Sequence, residues 1–143
     1  MHLNFDRRQC FAVPDSLCQL LNDELTKLTT PNLHAETITF NFRDPDYSAL
    51  GGGSHPVEIR LVKHQLSGKT VWQFEYITDF SYQGFPHAEL TKEIDVCFRT
   101  KEVYHLYGGS LNRSDGEALM TLFLENFVSY YQMDVFKVTV SFD

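Results

Sequence analysis

His55, Asp79 and Glu93 are the titratable residues whose settings could carry chemistry. His55 follows Gly51-Gly52-Gly53-Ser54, and a glycine run lets backbone amides approach an anion or other small ligand closely. Asp79 and Glu93 add carboxylates from segments with strand character, and imidazole with carboxylates is the usual equipment of acid–base work. Gly51, Gly52, Gly53, His55, Asp79 and Glu93 are therefore the candidate ligand-binding residues. Phosphate-cradling loops normally join a strand to a helix, whereas this run precedes a strand. A structural turn is the expected reading of the glycines, and a ligand cradle is the alternative.

A second constellation comes from alternation. Glu58, Glu75, Asp79, Glu93 and Asp95 fall opposite the apolar positions of their strands, with Arg60 and Arg99 among them. Antiparallel neighbours would bring several of these carboxylates face to face. The plain expectation is a solvated sheet face with weak ion pairs. Its functional alternatives are an acidic protein-docking surface or a carboxylate pair for proton transfer.

Other motifs lack their required context. Ser67-Gly68-Lys69-Thr70 resembles the end of a phosphate-binding loop, but Lys63 stands where the first glycine belongs and a strand follows. It is expected to be a hairpin turn. His87-Ala88-Glu89 and Glu93-Ile94-Asp95 show no His-x-x-x-His or Glu-x-x-His spacing, so neither a metal site nor a cofactor is expected. No Gly-x-Ser-x-Gly elbow is present, and no catalytic residue is assigned. Cys97 alternates outward and reads as an inert thiol.

The elements that must position these residues follow from composition and periodicity. The 143 residues are 43% hydrophobic, 22% charged and 14% aromatic, as suits a single globular domain over residues 1–143. A chain of this size hides roughly 70% of its unfolded surface, enough for a core without disulfides. Nineteen acidic residues outweigh twelve basic ones for a net charge of -7. No basic cluster exceeds Arg7-Arg8, which disfavours nucleic acid and anionic membranes as partners. Cys10, Cys18 and Cys97 cannot all pair within one chain, and the first residues lack a signal-length apolar run. A cytoplasmic location is expected.

Pro14-Asp15-Ser16 opens a helix whose Leu17, Leu20, Leu21, Leu25 and Leu28 recur on one face over about residues 15–29. Alternation then marks strands around Ile38–Phe42, Val57–Leu61, residues 70–80, Ile94–Phe98 and Val103–Tyr107. Trp72, Phe74, Tyr76 and Phe80 are expected on one face of the long strand, with Gln73, Glu75 and Asp79 on the other. Ser114-Asp115-Gly116-Glu117 reads as a capping box opening a second helix over about 114–131. Leu119, Leu122, Phe123, Phe127 and Tyr130, widened by Leu124, Val128 and Tyr131, give that helix a broad apolar face. Phe136, Val138, Val140 and Phe142 alternate into a final strand. The predicted class is α+β: a twisted antiparallel sheet of about five to seven strands with an N-terminal and a C-terminal helix on one face.

Gly51 to Arg60, Tyr76-Ile77-Thr78-Asp79-Phe80, Glu89-Leu90, Lys92 to Asp95, Asn126-Phe127 and Tyr130-Tyr131 together carry a resemblance. The chain resembles a family of short bacterial proteins of Vibrio and related marine gammaproteobacteria, catalogued as domain of unknown function 2787, over roughly residues 10 to 140. The resemblance implies a fold similar to that of the mitochondrial acidic matrix proteins, whose twisted sheet is flanked by terminal helices. It also implies protein partners and self-association, since those proteins are oligomeric and bind many proteins, including a complement component. It brings no activity, cofactor or catalytic residue. One departure is local: those matrix proteins end in helices, whereas residues 136–142 here read as a strand.

The reading is a non-catalytic acidic protein-interaction module, with its acidic sheet face or its broad second helix as the contact surface and a protein or a second copy of the chain as partner. A small enzyme or ligand-binding protein with its site near Gly51–Gly53 is the alternative.

Overall fold

The computed structural model describes residues 1–143. Along the chain lie α1 (Asp15–Thr26), β1 (Thr37–Arg43), β2 (Val57–Leu66), β3 (Lys69–Gln83) and β4 (Glu89–Cys97). They are followed by β5 (Glu102–His105), β6 (Gly109–Ser110), α2 (Arg113–Gln132) and β7 (Lys137–Phe142). The strands form one open sheet in the order β6-β5-β4-β3-β2-β1-β7, with every neighbouring pair antiparallel. The fold is α+β, with both helices packed into one core of 25 buried residues. Neither helix is long and apolar enough to cross a membrane.

Local chemistry sets the elements. Leu17, Leu21 and Leu25 are fully buried along one stripe of α1, each adding about 1.5–3 kcal/mol by leaving water. The helix ends before the expected residue 29, because the amides of Lys27 and Leu28 bond back three residues to Glu24 and Leu25. Ser67 and Gly68 join β2 to β3 with φ of 51° and 77°. Two left-handed residues between paired strands make a tight hairpin, so this turn has no helix amides to offer a phosphate. α2 begins two residues earlier than the capping box implied. Asn112 caps it, accepting from the Asp115 amide at 2.8 Å and donating to the Asp115 carboxylate at 3.0 Å. Gly116 allows close contact with β5, since a Cβ there would lie 3.1 Å from the Val103 side chain.

The N-terminal segment finishes the sheet where β4 stops short. The upper half of β3 has no strand on its β4 side. Trp72 instead exchanges bonds with Asn4 and Asp6, at 2.8 and 3.0 Å. The side-chain amide of Gln9 then accepts from Phe74 N–H at 2.7 Å and donates to its carbonyl at 2.9 Å, standing in for a strand residue.

A bulge in β3 corrects its expected faces, and a second bulge lies in β4. One falls at the Arg60/Leu61 step and one at the Asp79/Phe80 step. Glu75, the extra residue of β3 at the first step, flips the alternation of that strand beyond it. Trp72 and Phe74 stay with the core, but Tyr76 turns outward to Glu58, while Asp79 pairs in register with Val57 and Ile94 on the helix-covered face.

Candidate functional site

The second bulge builds the site. It leaves Glu93 as the extra residue of β4 beside the Asp79/Phe80 step of β3. Asp79 is 5% exposed and uses both oxygens. Oδ1 accepts the Ile94 amide at 2.7 Å, and Oδ2 lies 3.0 Å from His55 Nδ1. The same Nδ1 lies 3.3 Å from Glu93 Oε2, and Ser81 Oγ donates to Glu93 Oε1 at 3.3 Å. His55, Asp79 and Glu93 thus converge from a loop and two strands, each offering a donor atom within 4.8 Å of the others.

Electrostatics favour the imidazolium. The hydrogen bond to Asp79 raises the His55 pKa above its usual value, partial burial opposes the rise, and the charges of Asp79 and Glu93 add to it. No lysine or arginine pairs with either carboxylate. The Tyr47 ring lies beside the imidazole at 5.3 Å and stacks on Tyr82 at 5.3 Å. Tyr47 also accepts the Tyr82 amide through its hydroxyl at 3.1 Å.

The glycine run holds His55 in place. Gly51 N–H donates to Ser48 Oγ, Gly52 N–H to the Ser48 carbonyl, and Ser54 N–H to Asp44 Oδ2 at 2.9 Å. Those amides are engaged inside the loop and do not form an anion cradle. Gly53 has φ +121°, and a Cβ there would meet Tyr47 Cα at 2.9 Å. Glycine is required at that position for close chain packing.

His55 and Asp79 line a groove between the sheet and α2, with a volume of about 270 Å³. Val57, Ile94, Leu119, Phe123, Phe127 and Phe136 supply most of its apolar lining. Asn126 and Tyr130 of α2 also reach it. The helix contacts differ from the expected stripe: Met120, Phe123, Leu124, Phe127 and Val128 are buried, while Leu122 and Tyr130 are exposed at the groove.

The five carboxylates of the expected acidic face divide between two places. Glu58, Glu75 and Asp95 lie on the face away from the helices and are engaged there. Tyr76 donates to Glu58 at 2.6 Å, Thr78 to Asp95 at 2.6 Å, and Arg60 Nε lies 2.7 Å from Glu75 as an ion pair. Burial and the Glu58 carboxylate hold the Tyr76 hydroxyl well above its usual pKa. Asp79 and Glu93 belong to the His55 cluster. The expectation of no metal-ligand set rested on spacing along the chain, whereas strand register brings three donor atoms together from positions 55, 79 and 93. Tyr47, Ser81 and the α2 side of the groove were missed as well. The Asp44-Pro45-Asp46 break was the local sign of a loop folded back on His55.

The sequence matches the family described as Protein of unknown function (DUF2787) over residues 15–141. No curated protein matches it. Two solved structures are similar. One is a hypothetical protein from the VSP-II pathogenicity island of Vibrio cholerae, 33% identical, with a TM-score of 0.85 and 99% of each chain covered. The other is a conserved hypothetical protein from the VPI-2 pathogenicity island of Vibrio cholerae. It is 32% identical, with a TM-score of 0.75, and the match covers 93% of this chain and 97% of that one. Its description reports structural homology with the human P32 protein.

Proposed function

The chain belongs to that family, whose description names no activity, and we propose from the geometry that it is a small-molecule-binding domain. The observation that carries the reading is the largely apolar groove of about 270 Å³ that His55 and Asp79 help to line. Apolar walls with a few convergent polar groups at one end are the usual make-up of a ligand site. The ligand that fits has a small apolar body and one hydrogen-bonding head. The body lies against Phe123 and Phe127, and the head meets His55.

A titration followed by amide NMR tests this, using apolar fragments that bear an amine, hydroxyl or carboxylate head. Saturable shifts at residues 53–57, 79 and 119–130 are expected. Shifts confined to other regions, or none across the panel, overturn the reading.

A protein-interaction module is the second reading. It is favoured by Leu50, Phe85 and Tyr107, large apolar side chains standing mostly exposed on loops. An acidic docking face has less support, because Glu58, Glu75 and Asp95 are engaged within the sheet. The partner would be another protein or a second copy of the chain, in the bacterial cytoplasm, where three free thiols are at home. Sedimentation before and after Phe85→Ser tests self-association; a monomer in both cases removes the second copy.

A further inference from the structure

We infer that His55, Asp79 and Glu93 form a binding site for a divalent transition metal of the zinc class. The inference rests on the small-molecule reading only in placing the open coordination position at the groove.

Three observations carry it. The first is distance. Ligand atoms bonded to a tetrahedral zinc at about 2.0–2.2 Å stand about 3.3–3.6 Å from one another. His55 Nδ1 lies 3.0 Å from Asp79 Oδ2 and 3.3 Å from Glu93 Oε2, and all three donor atoms lie within 4.8 Å of one another, so side-chain rotations bring them onto one ion. The second is charge. Two carboxylates and an imidazolium leave one uncompensated negative charge, in a place where Asp79 is buried and no lysine or arginine pairs with it. A divalent cation with neutral imidazole brings the set to zero, which a partly desolvated site favours. The third is support. Ile94 N–H holds Asp79 Oδ1, and Ser81 holds Glu93 Oε1, leaving one oxygen of each carboxylate turned to His55. Such outer contacts orient metal ligands.

On coordination, Nδ1 gives up its proton and the ring keeps one proton on Nε2. One imidazole nitrogen and two carboxylate oxygens suit zinc better than magnesium, which favours an all-oxygen octahedral shell. Three protein ligands leave a fourth position. Since His55 and Asp79 line the groove, that position opens to the groove. The head of a bound molecule could then complete the shell as an oxygen or nitrogen donor.

The test uses the full chain, stripped with a chelator and titrated with Zn²⁺ alone, in competition with a chromophoric chelator. One ion per chain is expected, with a shift in the His55 Nδ1 resonance. Glu93→Gln and Asp79→Asn each keep the side-chain shape, and the carboxamide oxygen that Asp79→Asn introduces can still accept from Ile94 N–H. Each should weaken Zn²⁺ binding beyond the roughly 10–100-fold that follows loss of an outer-shell partner. Equal affinity in wild type and both variants, or an unmoved His55 signal, overturns the site. The fragment titration separates the two readings. Fragments binding without a zinc site leave the groove and remove the metal. A zinc site without fragment binding leaves the metal and removes the groove.

Discussion

Asp79 Oδ1 accepts the backbone amide of Ile94 at 2.7 Å, so a carboxylate side chain closes the ladder where β3 and β4 lose register. Two bulges divide the work. The extra residue Glu75 in β3 turns Asp79 under α2, and the extra residue Glu93 in β4 sets a second carboxylate beside His55, to which Asp79 aims its other oxygen.

Asp79→Ala leaves that amide without its partner and removes the anchor of His55. Leaving a buried group unpaired costs about 1–3 kcal/mol. Urea unfolding should show a loss of that size, and a smaller one for Glu93→Gln, whose side chain is more exposed. Equal losses would mean that the amide bond contributes little.

Gly53→Ala should destabilise more than Gly52→Ala. Both residues have positive φ, a backbone cost of about 1–2 kcal/mol for a side chain. At Gly52 a Cβ meets open space, but at Gly53 it meets Tyr47 Cα at 2.9 Å. Denaturation of the two variants, with the His55 imidazole signals as a second readout, checks the order. Only Gly53→Ala should move those signals.

Leu124 and Leu122 separate core from groove on one helix. Leu124 is 1% exposed and Leu122 is 56% exposed. Leu124→Glu places a carboxylate in the core and should abolish cooperative unfolding. Leu122→Glu should fold normally and weaken fragment binding in the groove that Leu122 borders. Circular dichroism melts with the NMR titration distinguish the two outcomes.

Stability at high pH should depend on Tyr131. Burial and its bond to Glu24 push the hydroxyl from 10.0 up to about 12. The unfolded chain gives up this proton first. The stabilisation is therefore complete below pH 10 and is lost as pH climbs from there towards about 12. Urea midpoints between pH 9 and 12 should fall less steeply in Tyr131→Phe than in wild type. Identical slopes would show that Tyr131 titrates alike in both states.

Most elements of the fold were legible because alternation and helical spacing are local. The stripe of Leu17, Leu21 and Leu25 and the alternation from Val138 to Phe142 describe the structure directly. The site was half legible. The residue types at His55, Asp79 and Glu93 suggested chemistry, and they do converge. Their arrangement was not readable, because an unbroken alternation along β3 puts Asp79 on the polar face. A bulge is a single-residue event with no strong composition signal, yet it reverses every face beyond it. The Asn112 cap escaped for a related reason: Ser114 and Glu117 match the pattern too, and only tertiary fit chooses between overlapping starts.

β1 lies between β2, which follows it directly, and β7, which comes at the far end of the sequence. On a ribosome adding about 5–20 residues per second, the roughly 90 residues between Arg43 and Lys137 take about 5–20 s to appear. Through that interval Ile38, Phe40 and Phe42, which end fully buried, sit on a strand with one edge unpaired. An apolar strand with an open edge is a template for pairing with another chain. The vulnerable period in the life of this protein is therefore its own translation, and it closes when β7 arrives.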